Sequence, residues 1–349
     1  MALSSGAALA VTDRGYLRVQ RQWRVRAAAA MHCPLIQVES DAIVPVETAS
    51  PKEEFTAGTF RPKITAALPY YLKPLKQERL RADAAGLSID SLDLSDIDGI
   101  IGSMNIDRSV PPVGWLTGGA AEAKRLLKKF ITHKLDMVPD NRNDPTKDCV
   151  SHLGPYLHFG QISPLHVALE VMKTKSPGRD IFLEELIVRR ELAINFTHYN
   201  EQYDSIRCLP DWAQRTLGEH SGDRRDYCYS MDQLEGARTH DRYWNAAQRE
   251  LVRRGKMHVY MRMYWGKKIL EWSPAPEAAY TAALYLNNRY SLDGRDPSGF
   301  AGVAWCFGKH DRAWGERHVF GKVRYMNDRG LERKFDMERY VEMVEESSG

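Results

Sequence analysis

From residue 119 to the C-terminus, the sequence repeats the apolar spacing of amphipathic helices and shows no alternating strand pattern. The first helix carries apolar residues at intervals of three and four, at Leu126, Leu127, Phe130, Ile131 and Leu135. Similar patterns predict further helices at about 162–174, 178–198, 242–253, 256–272 and 275–288. We therefore expect an all-α domain over residues 119–349.

The first 60 residues have a different pattern. A helix predicted at about 16–31 leads into the apolar run at 34–38, which suits a buried strand of an α/β layer. One such unit is too small to close a sheet, so we predict a partial, Rossmann-like α/β domain over residues 1–60. A transit peptide is the alternative, because the arginines there outnumber the single acidic residue, Asp13; they are Arg14, Arg18, Arg21, Arg24 and Arg26.

Residues 61–118 are predicted to form an interdomain linker. Prolines punctuate the segment, at Pro62, Pro69, Pro74, Pro111 and Pro112, and an acidic stretch occupies residues 90–96. Frequent prolines and charged residues are typical of a surface segment with short helical turns. The expected fold is therefore α/β followed by all-α.

Composition excludes several classes of protein. No apolar run approaches the roughly 18 residues of a membrane span, so we expect no membrane partner. The 49 basic and 46 acidic side chains nearly cancel, so affinity for a polyanion must come from local clustering. The five cysteines never occur as C-x-x-C, and the common nucleotide, zinc and serine-nucleophile motifs are missing. We expect neither a disulfide framework nor a metal site.

Tryptophans concentrate in the last third of the chain, which holds five of the eight. Trp265 and Trp272 are seven residues apart, or two helical turns, which places both indoles on one helix face. Trp244 could lie beside them. On spacing alone, ordinary core packing explains these residues as well as a functional arrangement does.

Four segments of the helical region arrive in a fixed order: SHLGPYLHFGQIS at 151–163, EELIVRREL at 184–192, RMYW at 262–265 and LNNRYSLDGRDP at 286–297. With these segments the sequence resembles the class II cyclobutane pyrimidine dimer photolyases of the cryptochrome and photolyase family. The likeness runs from about residue 10 to residue 341. Members of that class carry further residues ahead of this start, which hold the first strands of the antenna-binding domain. We therefore expect a truncated antenna domain and leave a bound antenna chromophore in doubt.

The resemblance implies a non-covalent, reduced FAD in the helical domain. It places Ser151, His152 and Leu153 at the phosphates and ribityl chain, where a turn before a helix also offers anion-binding N–H groups. It places Arg262 beside the flavin and Asn287 at the flavin N5, where an amide can donate or accept a hydrogen bond. The isoalloxazine is expected to be lined by Asp293, Gly294, Arg295 and Asp296.

The implied substrate is a pyrimidine dimer rotated out of UV-damaged double-stranded DNA into a pocket. Trp305 and Met263 are the expected walls, and Asn287 completes the catalytic set. Glu185 is expected to act as a protonated acid with a raised pKa, because it lies three residues from Val188 and seven from Leu192 on an apolar helix face. Glu184 is expected on the surface. Class I photolyases have a tryptophan on this helix, where this chain reads Val188-Arg189-Arg190.

Two further sets follow from the resemblance. An electron relay from the protein surface would use Trp272 as the outermost, Trp244 as the intermediate and Trp265 as the proximal residue. Between residues 309 and 334, eight basic residues stand against four acidic ones, and aromatic residues lie among them. The DNA contacts predicted there are Arg312, Trp314, Arg317, Lys322 and Arg324.

The sequence therefore predicts light-driven repair of cyclobutane pyrimidine dimers by a carbon–carbon lyase. Two other classes stay open: a cryptochrome-like flavin photoreceptor and a non-catalytic DNA-binding remnant. We expect a monomer in a DNA-containing compartment, which is the nucleus or an organelle in a eukaryote and the cytoplasm in a prokaryote.

Overall fold

The computed structural model describes residues 2–76, 78, 79, 86 and 92–346. The chain divides into two compact units, Met1–Lys73 with Val113–Gly349, and Pro74–Pro112. The smaller unit holds one described helix, Ile97–Ser103, whose first turn is capped by Asp96. Two residues of the predicted acidic stretch, at positions 90 and 91, lie outside the described residues. The predicted domain boundaries at 60 and 118 stay predictions, although a helix, Ala57–Tyr71, crosses the first of them.

The described elements of the larger unit are mostly helices. Two strands, β1 (Ala10–Asp13) and β2 (Leu35–Val38), flank α1 (Arg18–Ala30). The helices that follow are α2 (Val46–Ala49), α3 (Ala57–Tyr71), α4 (Ile97–Ser103, of the smaller unit), α5 (Ala120–His133), α6 (Val138–Asn141), α7 (Gly154–His158), α8 (Pro164–Met172), α9 (Arg179–Leu183), α10 (Arg190–Tyr199), α11 (Asp211–Glu219), α12 (Met231–Glu235), α13 (Arg242–Arg254), α14 (Val259–Trp272), α15 (Pro276–Tyr290), α16 (Pro297–Cys306), α17 (Asp328–Glu332) and α18 (Met337–Glu346). Short 3₁₀ turns occupy Ala2–Gly6, Leu135–Met137 and Ile206–Cys208.

The N-terminal segment forms a strand–helix–strand unit, in which β1 and β2 pair in parallel with Ala10 opposite Leu35. The prediction of a buried strand at 34–38 is wrong, because Ile36 and Val38 are 49% and 47% exposed. The sheet has only two strands among the described residues, and no residue of α1 is buried. With no second layer over them, these apolar side chains stay at the surface.

Residues 41–44 join this segment to the helical core through α10. The backbone N–H groups of Ile43 and Val44 donate to the buried Glu191 carboxylate at 2.7 and 3.2 Å. The neighbouring Arg190 donates to the backbone carbonyl and the carboxylate of Asp41. Consecutive charged residues at the start of α10 thus fix the position of one loop.

The helical pattern predicted beyond residue 119 is confirmed over the described residues. The five helices predicted after the first coincide with α8, with α9 to α10, and with α13, α14 and α15. The one predicted at 178–198 is not regular, because a π-helical turn, Glu184–Arg189, separates α9 from α10. We refer to Glu184–Arg189 as the wide turn. Such turns hold one residue more than an α-helical turn and occur often at functional sites.

The largest apolar core surrounds α13, α14, α15 and α16. Its tryptophans, Trp244, Trp265 and Trp272, are almost fully buried. Helices α14 and α16 approach closely at Gly266, where an added Cβ would stand 2.5 Å from the Sγ of Cys306. This core places α14, α15 and α16 beside one another, and these helices carry the predicted site residues Arg262, Met263, Asn287 and Trp305.

Candidate functional site

The turn at 151–158 lies against the loop at 293–296, so two of the predicted cofactor-binding segments meet. A Cβ at Gly154 would stand 2.7 Å from the Asp293 carboxylate. His158 Nδ1 lies 3.1 Å from Asp296 Oδ2, and this hydrogen bond raises the pKa of His158. Asp296 also caps α16 by accepting the N–H of Ser298 at 2.8 Å. One carboxylate thus joins the turn to the start of α16.

His152 lies in a chain of charged groups beside this turn. Its Nε2 is 2.8 Å from the Asp148 carboxylate, and its Nδ1 is 3.0 Å from Lys256 Nζ. Burial lowers the pKa of His152 and lowers that of Lys256 to about 8. Lys256 pairs with no carboxylate in the described part of the chain. A half-buried ammonium without an anionic partner suits an anionic group such as a phosphate.

Leu153 and Ser151 complete the predicted phosphate segment. The Leu153 side chain is buried, and its backbone N–H donates to Ser151 Oγ at 3.3 Å. The Ser151 hydroxyl proton remains available, because this bond uses its oxygen only as an acceptor. The segment therefore offers a hydroxyl donor close to the His152 and Lys256 pair.

The side chains of Arg262 and Asn287 are in direct contact. An Arg262 N–H donates to the Asn287 side-chain oxygen, and Asn287 Nδ2 donates to Asn288 Oδ1 at 3.2 Å. The Arg295 backbone N–H reaches the same Asn288 oxygen at 3.2 Å. Three of the predicted flavin-side residues are thus joined in one network. Gly294 permits the turn, since a Cβ there would lie 2.8 Å from the carbonyl of Asn288.

Met263 contacts Cys306, the neighbour of Trp305, at the junction of α14 and α16. Cys306, next to Trp305, has its Sγ 4.0 Å from Met263 Sδ and 3.7 Å from the Arg262 carbonyl. Trp305 is partly buried, and the guanidinium carbon of Arg189 stands 5.5 Å from the centre of its ring. Contacts therefore run from Asn287 through Arg262 to α16, and from Trp305 to the wide turn.

The two glutamates of the wide turn differ from the expectation. Glu184 is the more buried and forms a two-pronged ion pair with Arg61, at 3.0 and 2.7 Å. Glu185 is not part of the apolar face, because 55% of its side-chain surface is accessible. Helical spacing does not hold in a π turn, so Glu185 does not share the direction of Val188 and Leu192.

The environment of Glu185 still favours its protonated form. Burial raises its pKa, against the opposing charges of Arg189 and of Arg142, which lies 3.3 Å away. The Glu185 carboxyl is therefore accessible to water and yet has protein groups around it. A raised pKa in such a place is typical of functional carboxyl groups.

The three relay tryptophans lie together in the predicted order. Trp244 and Trp265 are stacked with their ring centres 6.5 Å apart, and Trp272 contacts Trp244 edge-on at 5.6 Å. Trp272 is only 2% exposed, so it does not provide the surface end of the chain. The rings continue from Trp272 to Tyr229 at 5.3 Å and to the exposed His240 at 5.2 Å.

The predicted DNA contacts form an exposed loop of basic and aromatic residues. Trp314 is 40% exposed, and the guanidinium groups of Arg312 and Arg324 each stand 5.1 Å from its ring centre. Arg317 stands 5.1 Å from the ring of Tyr325, and Lys322 is a loose partner of Glu316 at 4.0 Å. Two cations on one indole form a surface suited to phosphates and bases.

Several residues were not predicted from the sequence. Asp148 and Lys256 orient His152, Asn288 joins Arg295 to Asn287, and Gln248 accepts the Trp265 indole N–H at 2.8 Å. Helical or turn spacing would have found two of them, because Asp148 precedes His152 by four residues and Gln248 follows Trp244 by four. Within the described residues, no cluster of side chains is suited to a metal ion and no helix is suited to span a membrane.

The fold is that of the photolyase and cryptochrome class. The structure resembles a bacterial class III photolyase from Agrobacterium tumefaciens, with a TM-score of 0.69, 18% identity, and coverage of 98% of this chain and 70% of that one. It also resembles the cryptochrome of Synechocystis sp. PCC6803, with a TM-score of 0.63, 14% identity, and coverage of 91% and 65%. These likenesses concern the fold alone.

Sequence comparison makes the assignment narrower. The chain is 56% identical over 341 residues to the deoxyribodipyrimidine photo-lyase of Methanothermobacter thermautotrophicus, covering 97% of this chain and 74% of that protein. It is 43% identical to the deoxyribodipyrimidine photo-lyase of Potorous tridactylus, covering 96% of this chain and 63% of that protein. No protein-family model matches the chain. The chain belongs to the deoxyribodipyrimidine photo-lyase family.

Proposed function

We propose that this protein repairs cyclobutane pyrimidine dimers in DNA under light, as a photolyase of class II. The observation that supports this most is the identity of 42–56% to four deoxyribodipyrimidine photo-lyases. The network of Arg262, Asn287 and Arg295 and the contact of Trp305 with the wide turn agree with one shared site. We propose that the protein acts as a monomer in a DNA-containing compartment.

Membership of this family implies a flavin cofactor, and we propose that the flavin is a reduced FAD. When bound, it supplies an electron after absorbing light. The chain's residues fit such a group, since Lys256 has no anionic partner of its own among the described residues. Ser151, His152 and Leu153 would hold the phosphates, and Arg262 and Asn287 would contact the flavin. Asn287 is buried and carries no charge, so it can serve more than one redox state of its neighbour.

The residues near the wide turn would bind the lesion. Trp305 and Met263 would replace the stacking that the dimer loses when it leaves the helix. Glu185 would keep its proton and donate it in a hydrogen bond to a carbonyl oxygen of the dimer, where negative charge develops as the bases separate. Its function is thus to hold a proton at one oxygen.

The exposed loop of basic and aromatic residues at 312–325 would bind the undamaged DNA on either side of the lesion. Arg312, Arg317, Lys322 and Arg324 would neutralise phosphates, and Trp314 would lie near the opened site. Neutralising phosphates releases counterions, so the logarithm of the binding constant should fall linearly with the logarithm of the salt concentration. Binding that ignored salt would contradict this assignment of the loop.

Illumination of a thymine-dimer oligonucleotide with the reduced protein tests the proposal. Repair should restore the absorbance of thymine under blue light, and an identical sample kept in the dark should show no change. A protein that holds flavin and leaves the dimer intact would be a photoreceptor instead. A colourless protein that binds DNA would be a non-catalytic remnant.

A further inference from the structure

Arg189 is a cation at the predicted lesion site to which the proposed repair step assigns no role. It ends the wide turn, four residues after Glu185. Its guanidinium carbon stands 5.5 Å from the centre of the Trp305 ring, and 34% of its side-chain surface is accessible. The group therefore lies beside Trp305 and on the same turn as Glu185, and it remains open to a ligand.

The hydrogen-bond donors of Arg189 are not used within the described residues. Its Nε atom is buried and has no hydrogen-bond partner there. The nearest carboxylate oxygen, on Glu184, is 3.6 Å away and is already held by Arg61 at 2.7 Å. The next residue, Arg190, provides a contrast, because its guanidinium is consumed by Asp41. Leaving a buried N–H donor unpaired costs about 1–3 kcal/mol, which a ligand acceptor would relieve.

The charge of Arg189 also reaches the groups around it. It opposes the effect of burial on the pKa of Glu185, and it adds to the effect of burial that lowers the pKa of His310 to about 4. The Nε2 atom of His310 is a second buried polar atom without a partner among the described residues. Two buried polar atoms without partners among the described residues, Arg189 Nε and His310 Nε2, thus belong to side chains that interact electrostatically.

We propose that Arg189 is a positioning residue for the damaged DNA, donating hydrogen bonds to oxygen atoms of the extruded dinucleotide. These oxygens are the pyrimidine carbonyls or the phosphodiester between the two bases. The inference rests on the proposed function, since it takes the pyrimidine dimer as the ligand. A guanidinium close to an indole ring offers a planar set of donors, which suits oxygens that have lost their base-pairing partners.

Equilibrium binding in the dark tests the inference without using repair as the readout. The flavin-loaded protein and its Arg189→Gln and Arg189→Lys variants are titrated into labelled duplexes with and without one thymine dimer, followed by fluorescence anisotropy. Arg189→Gln should weaken binding to the dimer by about tenfold and leave binding to undamaged DNA nearly unchanged. Arg189→Lys, which keeps the charge without the planar fork, should retain part of the preference.

Arg249→Gln provides the matched control, because Arg249 is an arginine of α13 that only approaches Glu345 at 4.0 Å. Removing that charge should leave the preference for the dimer intact.

A duplex with an uncharged methylphosphonate between the two pyrimidines separates the two possible acceptors, the phosphodiester oxygens and the carbonyl oxygens. If the phosphodiester is the acceptor, the effect of Arg189→Gln disappears on this duplex; if the carbonyls are, it persists.

Two results would overturn the inference. One is an Arg189→Gln variant that prefers the dimer as strongly as the unmodified protein. The other is an equal loss of affinity for damaged and undamaged DNA, which would reduce Arg189 to a general electrostatic contact. An unmodified protein with no preference for the dimer would overturn the proposed function together with this inference.

Discussion

The indole rings of Trp244 and Trp265 are stacked, with an angle of 4° between their planes and their centres 6.5 Å apart. The Trp244 N–H also donates to the Trp265 backbone carbonyl at 3.0 Å, which fixes the pair. Both rings are almost fully buried, so water is excluded from the space between them. This is an arrangement that favours the movement of an electron from one ring to the other.

Trp265→Phe should strongly slow the light-driven reduction of oxidised flavin, because the ring between Trp244 and the cofactor region would become harder to oxidise. Repair by protein that has been reduced beforehand should change little. Flavin absorbance during illumination measures the first effect, and thymine absorbance measures the second. Trp23→Phe, at an exposed position on α1, is the control. Unchanged photoreduction in Trp265→Phe would exclude this relay.

Glu185→Gln should remove the pH dependence of repair that arises from this residue. Burial raises the pKa of Glu185, so the proton needed for hydrogen bonding is present at low pH and is lost as the pH rises through that raised value. The unmodified protein should therefore repair less per absorbed photon at higher pH, whereas the amide keeps its donor throughout. Repair yields measured across a pH series check this. Parallel profiles for the two proteins would rule out Glu185 as the titrating group.

Glu191→Leu should destabilise the protein by about 2–4 kcal/mol, because the buried N–H groups of Ile43 and Val44 would both lose their acceptor. Denaturant unfolding measures the free energy. Glu219→Leu, an exposed position on α11, should change it by less than about 0.5 kcal/mol. A loss no larger than that of the control would mean that residues 43 and 44 find other acceptors.

The His158 and Asp296 pair should make stability depend on pH. The hydrogen bond to Asp296 raises the pKa of His158 in the folded state above its usual value. The stabilisation is therefore fully present below about pH 6.5 and is lost as the pH rises through the raised pKa. The Tm of the unmodified protein should fall more steeply over that interval than the Tm of His158→Asn. Identical slopes would contradict a role for this pair.

Gly266→Ala should destabilise the protein by about 1–3 kcal/mol, because the new methyl group would stand 2.5 Å from the sulfur of Cys306. Cys306→Ala in the same protein should recover only part of this loss, since it removes the sulfur but leaves the Cβ of residue 306 at 2.8 Å from the new methyl group. Unfolding free energies of the two single variants and the double variant form a cycle that isolates the contact. If the two single-variant losses of unfolding free energy simply add in the double variant, α14 and α16 move apart freely.

Periodicity located most of the helices because apolar faces and their spacing are properties of the local sequence. The stack of Trp265 on Trp244 was consistent with such spacing, but the burial of Trp272 was not predictable from it. That burial depends on Tyr229, which comes from a separate segment. The exposure of Ile36 and Val38 likewise depends on neighbours that cover a strand, and an apolar run does not reveal whether such neighbours exist.

The largest disagreement lies at the wide turn, where the rule behind the prediction fails. Assigning Glu185 to the apolar face assumed 3.6 residues per turn, and a π turn does not obey that spacing. The ion pair of Glu184 with Arg61 joins residues that are far apart in the sequence. The chemistry of this helix could be predicted from the identity of its residues. The directions in which its side chains point could be read only from the structure.

The wide turn also means that the number of residues in this helix affects where its side chains point, in addition to the identity of those residues. Deleting one residue between 184 and 189 would let an unbroken α-helix form, in which the remaining five residues cover about the arc that six cover in the π turn. The flanking helices would keep their directions, since residues 41–44 hold α10 in place, and the side chains inside the turn, Glu185 among them, would point differently. The direction of the Glu185 side chain therefore depends on the number of residues in the wide turn. A shorter turn would change that direction even with every contacting side chain still present.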